Sequence, residues 1–229
     1  MRMRDIEKIR DTLESKTTFV FDFDGVLVDS LEIKSWAFGE IYKEHGDEIV
    51  QKVRNHHAQN GGVSRFDKFK YYHENFLNTQ IDDKELNEIC NSFSKLVMNA
   101  VIECPEIKGA KQFLSKYCAN NKLFFVNSAT PQKEIEKITE RRNLSIYFQS
   151  VYGSPDSKYE NLRKIFLEYD TNPIQTVFFG DALSDYKAAR KSGCEFIGIG
   201  PNILDNIKQY EDQQIERCCF LSDFEKVLD

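Results

Sequence analysis

The chain reads as an α/β protein: a Rossmann-like parallel sheet core with helices on both faces, plus an inserted α-helical domain. Three observations predict this. Short aromatic and β-branched runs recur along the sequence, amphipathic stretches of roughly 10–15 residues separate them, and residues 31–103 carry helical patterns only.

The elements follow in order. Met3, Ile6, Ile9 and Leu13 recur at helical spacing and predict a short amphipathic helix over 3–15. Thr17-Thr-Phe-Val-Phe-Asp-Phe23 is too short for a helix and is predicted as a buried strand. Residues 31–45, 47–57, 65–77 and 83–102 read as helices, with Asn60-Gly-Gly62 as the main break. Further strands are expected at Leu123–Asn127, Thr176–Phe179 and Phe196–Ile199, with Cys219–Leu221 weaker. Between them lie helical patterns from Gly109 to about Asn120, over Lys158–Tyr169, and over Leu183–Ser192, the last stopped by Gly193. Another helix is expected to start at Thr130-Pro131, with proline in its first position. Ser222-Asp-Phe-Glu225 has the capping-box pattern and predicts a closing helix. The division that follows is a core of residues 1–29 and 106–229 with a helical insert at 30–105.

Bulk properties narrow the function classes. A chain of 229 residues is long enough to bury a full core without disulfides. Its net charge of −6, from 31 basic and 37 acidic side chains, disfavours nucleic acid or an anionic membrane as a partner. No apolar run approaches a membrane span, and the first residues lack the apolar core of a signal peptide, so a cytoplasmic location is expected. Cys90, Cys104, Cys118, Cys194, Cys218 and Cys219 are scattered without a Cys-x-x-Cys, as buried small hydrophobes would be. His45, His56, His57 and His73 all fall in one stretch, so chemistry elsewhere must proceed without histidine.

Phe19-Val-Phe-Asp-Phe-Asp-Gly-Val-Leu-Val-Asp-Ser30 is the most informative segment. An apolar strand ends in Asp22, with Asp24 two positions on, then Gly25. Ligands bind beyond the carboxyl ends of parallel strands, so both carboxylates stand where chemistry is done. Carboxylates this close repel unless a cation or a shared proton intervenes, and a hard divalent ion such as Mg²⁺ suits oxygen ligands. The pair alone is equally that of two strand-end aspartates in turn and cap roles. Val177-Phe-Phe-Gly-Asp-Ala-Leu-Ser-Asp185 repeats the pattern, placing Asp181 at the same edge and Asp185 at a helix start, where it also suits the dipole. Ser128 precedes another helix start, a ready anion site. Lys158 follows the turn-rich Gly153-Ser-Pro-Asp-Ser157; at a helix N-terminus a lysine opposes the dipole, although a solvated surface residue fits the pattern as well.

Together these four elements resemble the haloacid dehalogenase-like (HAD) superfamily, in the branch of phosphoglycolate phosphatases and beta-phosphoglucomutases with a helical cap inserted after the first strand. Asp22-Phe-Asp24-Gly-Val-Leu-Val-Asp-Ser30 is similar to the family's first motif, Ser128 to its second, Lys158 to its third and Gly180-Asp-x-x-x-Asp185 to its fourth. Tyr159 stands where many relatives have proline, which leaves Lys164 as a substitute third-motif lysine. The resemblance implies a phosphatase hydrolysing a small phosphorylated metabolite, possibly a sugar phosphate, with Mg²⁺ as cofactor, in a monomer or weak dimer. Asp22 would be the nucleophile, and Asp24 would protonate the leaving oxygen and then activate water. Asp22, the Asp24 backbone carbonyl, Asp181 and Asp185 would surround the metal. Ser128, Lys158 and the backbone N–H of Gly25 would meet the phosphoryl oxygens.

Asp24 disfavours a dehalogenase, which needs no acid there. A phosphonate hydrolase would need a Schiff-base lysine, for which Lys34 or Lys43 are unmarked candidates. A phosphomutase of the same fold and a non-catalytic sugar-phosphate-binding regulator stay open. Within 30–105, 9 basic and 12 acidic residues make the insert acidic, yet residues 52–70 carry Lys52, Arg54, Arg65, Lys68 and Lys70 against Asp67 alone. His56-His57-Ala-Gln-Asn-Gly-Gly-Val-Ser64 reads there as a flexible polar loop. Arg65 beside it is the expected substrate-reading residue, because a guanidinium pairs with a carboxylate or a second phosphate. A basic solvated face around a glycine turn is the competing explanation.

Overall fold

In the computed structural model, residues 3–120, 122–201, 203, 207 and 218–228 are described. Strands β1 (Thr18–Phe21), β2 (Leu123–Pro131), β3 (Ser150–Ser154), β4 (Thr176–Gly180), β5 (Glu195–Ile199) and β6 (Cys219–Leu221) form one sheet. Every pairing is parallel, in the order β3-β2-β1-β4-β5-β6. Helices are α1 (Met3–Ser15), α2 (Leu31–Ile41), α3 (Asp47–Gln59), α4 (Arg65–Phe76), α5 (Asp83–Glu103), α6 (Ala110–Cys118), α7 (Gln132–Arg141), α8 (Lys158–Glu168) and α9 (Leu183–Ser192).

The alternation of side chains along the central strands divides the core in two. Phe19 and Phe21 of β1 join Phe124, Val126 and Phe179 on one face, under Ile9, Phe113 and Ile135. Val20, Phe125 and Phe178 point the other way, onto Leu162, Ile165 and Ala189 of α8 and α9. Strands covered on both faces read as continuous apolar runs, which explains why β1 and β4 are so plain in the sequence. Phe21 stacks on Phe179 with centroids 4.7 Å apart, and Phe19 on Phe124 at 5.3 Å, so aromatic pairs fix the three central strands side by side.

Four local expectations differ from the structure. The segment 150–154 forms strand β3, although its glycine and two serines carry little strand signal; the ladder with Phe125 and Val126 supplies what propensity lacks. Strand β2 runs on to Pro131, which precedes α7 in extended conformation and is not its first helical residue. Helix α3 reaches Gln59, so His56 and His57 lie on a helix and the turn is confined to residues 60–64. The capping box at Ser222 does not form: Asp223 accepts from the Glu225 N–H at 3.1 Å, and a single 3₁₀ turn, Phe224–Val227, follows.

Helices α2 to α5 pack on one another as a block between β1 and β2 in the chain, and α5 also packs on α7. Phe38 centres the block, 4.4 Å from the Phe93 ring and 5.4 Å from Phe69. No helix among the described residues is long and apolar enough to cross a membrane.

Arg65 corrects its sequence assignment. Its guanidinium forks onto Glu134 of α7, with Nη1 to Oε2 at 2.9 Å and Nη2 to Oε1 at 2.6 Å, and Nη1 also donates to Ser94 at 2.6 Å. Both side chains are buried, at 4% and 6% exposure. A guanidinium satisfied by a carboxylate of its own chain ties the helical block to the sheet domain in the described arrangement. Removing one partner leaves the other charge buried and unpaired, so Arg65→Ala should destabilise by about 3–5 kcal/mol in urea unfolding. Arg65→Met with Glu134→Leu should recover most of that loss. Equal losses in the single and double variants would show that the pair contributes nothing beyond volume.

Candidate active site

Register brings the chemistry together. Phe21 lies opposite Val126 of β2 and Phe179 of β4, so the next residues, Asp22, Asn127 and Gly180, meet at one sheet edge. The Asp22 N–H donates to the Phe179 carbonyl at 2.9 Å, which holds the strand end in place. Asp181 follows Gly180, and Asp185 sits in the first turn of α9, where its Oδ2 accepts from the Ala182 N–H at 3.0 Å. Asp22, Asp24 and Asp185 are 3%, 9% and 0% exposed, so the site is out of bulk water.

Lys158 opens α8 and aims into this cluster. Its ammonium donates to Asp22 Oδ2 at 2.7 Å and to Asp185 Oδ1. Burial works to lower its pKa, but Asp185 and Asp22 together outweigh that and raise it. Asn127 donates to the Lys158 carbonyl at 2.8 Å and accepts from the Asn161 amide at 3.0 Å, fixing the first turn of α8. A capping box between Ser157 and Glu160 completes it. Lys164 is exposed and paired with Asp156, so the structure brings Lys158, and not Lys164, to the carboxylates.

The two carboxylates that follow β1 sit in opposite electrostatic environments. Burial pushes Asp22 up to about 7; Lys158 opposes this, while Asp185 and Asp24 add to it. Burial also acts to raise Asp24, but Lys34 and the hydrogen bonds from Lys34, Ser30 and Thr130 hold it below the ordinary carboxylate range. Ser30 donates at 2.6 Å and Thr130 at 3.2 Å, and Lys34 forms an ion pair with Oδ2. Lys34 also donates to the Thr130 hydroxyl at 2.9 Å.

Asp22, Asp181 and Asp185 each offer an oxygen within 4.8 Å of the other two. Burial, then Asp22 and Asp185, raise the Asp181 pKa as well. Three crowded hard oxygens that resist full ionisation suit a divalent ion such as Mg²⁺. Asp24 stands outside this group, with its side chain turned to Lys34, Ser30 and Thr130.

Ser128 is 1% exposed; its Oγ accepts from the Thr130 N–H at 3.1 Å, which leaves its proton free to donate. Gly25 corrects its sequence assignment. Its N–H donates to the Val28 carbonyl at 2.8 Å and is not offered to a phosphoryl group. The glycine serves close approach: φ is +78°, and a Cβ there would lie 2.3 Å from Asp181 Oδ2.

The turn at 60–64 rests on the same edge. The Ser184 hydroxyl donates to the Gly61 carbonyl at 3.1 Å, and a Cβ on Gly62 would fall 2.0 Å from Ser184 Oγ and 3.0 Å from Lys158 Nζ. A cavity of about 360 Å³ lies beside this contact, lined by Gly62, Ser64, Ser157, Lys158 and Lys187 among others. It adjoins the carboxylates without reaching them, because the helical block covers them.

Sequence reasoning missed several residues here. Thr130 lies two positions beyond Ser128 on the same strand face, a readable spacing, whereas Lys34, one helical turn beyond Ser30, is brought onto Asp24 only by the packing of α2. Lys68 of α4 is 2% exposed, and its Nζ lies 2.8 Å from His57 Nδ1. Burial, then Lys34 and Lys158, draw its pKa down to about 7 against the pull of Asp181 and Asp24. Burial, then Lys68 and Lys34, hold His57 neutral, at about 2. His56 stacks on Tyr71 with centroids 4.2 Å apart and packs inside the block.

With this geometry in place, the family model for haloacid dehalogenase-like hydrolases matches residues 19–199. The chain belongs to the haloacid dehalogenase-like hydrolase family. No curated protein is significantly similar to it. Among solved structures, a predicted phosphatase from Clostridium acetobutylicum has a TM-score of 0.73 at 16% identity, covering 93% of this chain and 96% of its own. Beta-phosphoglucomutase from Clostridium difficile scores 0.70 at 17% identity, covering 88% and 96%. CbbY from Rhodobacter sphaeroides, solved with phosphate, scores 0.67 at 16%, covering 91% and 95%. The fold is therefore one shared by phosphatases and a phosphomutase.

Crowding of Asp22, Asp181 and Asp185 makes a specific prediction. Asp181→Asn should raise the melting temperature of the metal-free protein by relieving the crowding of like charges, while sharply reducing the further rise on adding Mg²⁺. An unchanged Mg²⁺-induced rise would remove Asp181 from the cation site.

Proposed function

We propose that the protein is a Mg²⁺-dependent phosphatase that hydrolyses a small phosphorylated metabolite through an aspartyl-phosphate intermediate. The observation that carries this is the opposed pair Asp22 and Asp24. One carboxylate is lodged among Lys158, Asp181 and Asp185, and the other, two positions on, accepts hydrogen bonds from Ser30, Thr130 and Lys34. The division into a core of 1–29 and 106–229 and a cap of 30–105 is part of the same proposal, supported by the self-packed helices α2–α5 over the site.

In this mechanism Asp22 attacks phosphorus, the bond to the leaving oxygen breaks, and that oxygen departs with the electron pair. Asp24 supplies its proton. Water then attacks the phosphoryl group as Asp24 takes a proton from it, and the Asp22 carboxylate leaves with the bonding pair. Ser128 and Lys158 are placed to stabilise charge on the transferring oxygens. Bound to Asp22, Asp181, Asp185 and the Asp24 carbonyl, Mg²⁺ would offset the negative charge gathered there. In the described arrangement Lys34 keeps Asp24 ionised, the state that activates water; the protonating half of the cycle requires Lys34 to withdraw.

One observation favours a phosphomutase as second reading: with Asp22 and Asp24 3% and 9% exposed, water has little access while the block is closed. A mutase would transfer the phosphoryl group to a second hydroxyl, so free phosphate released per turnover separates the two.

Asp22→Asn should abolish phosphate release with the fold intact by circular dichroism, because the attacking oxygen is gone. Asp24→Asn should slow turnover by roughly 10²–10⁴. Chelation by EDTA should silence wild-type protein and Mg²⁺ restore it. Retained turnover in Asp22→Asn would rule out the aspartyl-phosphate route.

A further inference from the structure

Strand β2 leaves its ladder at the point where it supplies the site. Asn127 pairs with Tyr152 of β3 and Pro131 with Ser154, so residues 128–130 oppose Gly153 alone. A bulge of this kind frees a strand to re-aim its side chains. Here the freed residues include Ser128 and Thr130, the latter bonded to Asp24 at 3.2 Å. The bulge also leaves Gly153 to side-chain partners. Its N–H donates to Gln132 Oε1 at 2.6 Å, and its carbonyl accepts from the Asn161 amide at 3.4 Å.

Alternation along β2 sets Asn127 on the same face as Phe125, which meets Leu162 and Ile165 of α8 in an apolar layer. Asn127 and Asn161 are 0% and 1% exposed, so two amides lie buried beside that layer. Buried amides are costly unless bonded, and apolar side chains could fill the same volume. Their bonds run to the start of α8. Asn127 Nδ2 donates to the Lys158 carbonyl at 2.8 Å, and its Oδ1 accepts from Asn161 Nδ2 at 3.0 Å. The helix does not need this to form: the Ser157–Glu160 capping box already closes its first turn, and a first-turn carbonyl has an N–H four residues on as its partner. What the amides add is location. They hold the Lys158 backbone at a set distance from Asn127, whose neighbour in the chain is Ser128.

We infer that Asn127 and Asn161 are positioning residues: the amide pair yokes Lys158 to Ser128, so that the two side chains meeting the transferring phosphoryl group keep a fixed spacing. That these side chains meet a phosphoryl group rests on the phosphatase reading; that the pair fixes Lys158 does not. A lysine stem is flexible and holds no geometry of its own. Asp22 and Asp185 fix the far end of Lys158, and the amides fix the near end. The Gly153 carbonyl is a third anchor, so the yoke spans β2, β3 and α8. Among the described residues the two amides bond to Lys158, Gly153 and each other and to none of the carboxylates, so they act through the Lys158 backbone.

The test reads Lys158 and the cation site separately. Calorimetry with Mg²⁺ alone, and with orthovanadate in the presence of Mg²⁺, compares wild-type protein with Asn161→Leu, which keeps the volume and removes the amide. Vanadate should bind roughly 10- to 100-fold more weakly, the scale of a 1 Å misplacement, while Mg²⁺ affinity and the circular dichroism spectrum stay unchanged. A role in folding alone would move both affinities together or neither. Acylation by acetic anhydride, followed lysine by lysine with mass spectrometry, then reports on Lys158 without any ligand. Its initial rate should rise in Asn161→Leu, while that of Lys34, which is also paired with a carboxylate, stays the same. Should Asn161→Leu fail to fold, Asn161→Ala carries both comparisons. Unchanged vanadate affinity, a parallel fall in Mg²⁺ affinity, acylation of Lys158 no faster than in wild-type protein, or a matching rise at Lys34 would each overturn this role. Failure of wild-type protein to bind vanadate would count against the phosphatase reading alone, and the acylation rates would still decide whether the amides position Lys158.

Discussion

The buried ammonium of Lys158, bridging Asp22 and Asp185, is the interaction on which the rest of the site depends. Four carboxylates converge at one edge of a parallel sheet, and strand register leaves no freedom to spread them. Without compensating charge they would take up protons or push the loops apart. Lys158 supplies the compensation from within the chain, and Asn127 and Asn161 exist in this structure to hold its helix start at the required place. The three crowded carboxylates of Asp22, Asp181 and Asp185 would suit a divalent ion.

That edge is prepared by the core beneath it. Phenylalanines on β1, β2 and β4 stack in pairs and set the strands at one height, so the first residues beyond each strand face one another. Gly25 then lets the loop after β1 pass against Asp181 with no side chain between them. Packing thereby becomes catalytic geometry: aromatic stacking fixes register, and register fixes the distances among carboxylates.

The helical block adds a second layer of control. It is tied to the sheet domain by the buried Arg65–Glu134 fork, and it places Lys34 on Asp24 and the Gly61–Gly62 turn on Ser184. The first and last of these contacts join elements far apart in sequence, whereas Lys34 lies only ten residues beyond Asp24. The closed arrangement therefore shields the chemistry from water and, through Lys34, biases the protonation of Asp24. In the proposed mechanism, the position of the block and the protonation of Asp24 are linked by that one ion pair.

The sequence by itself determined the parallel α/β architecture, the run of helices between β1 and β2, and the placement of Asp22, Asp24, Lys158, Asp181 and Asp185 just beyond strands or at helix starts, with Ser128 on β2. These were legible because strand and helix periodicity are local, and because a residue just past a buried apolar run has little choice but the sheet edge. Strand β3 was not legible, since its glycine and serines become a strand only through pairing with β2. What only the tertiary structure decided is how charge is distributed. Arg65 and Lys68 lie one turn apart in the same basic stretch and look alike in sequence, yet one is neutralised by Glu134 and the other has no acidic partner. Lys34, unmarked by its neighbours, proves to sit on Asp24. An ionic partner is chosen by distance in space, and distances between α2 or α4 and the sheet edge are set by the packing of whole elements, which no local pattern of residues encodes.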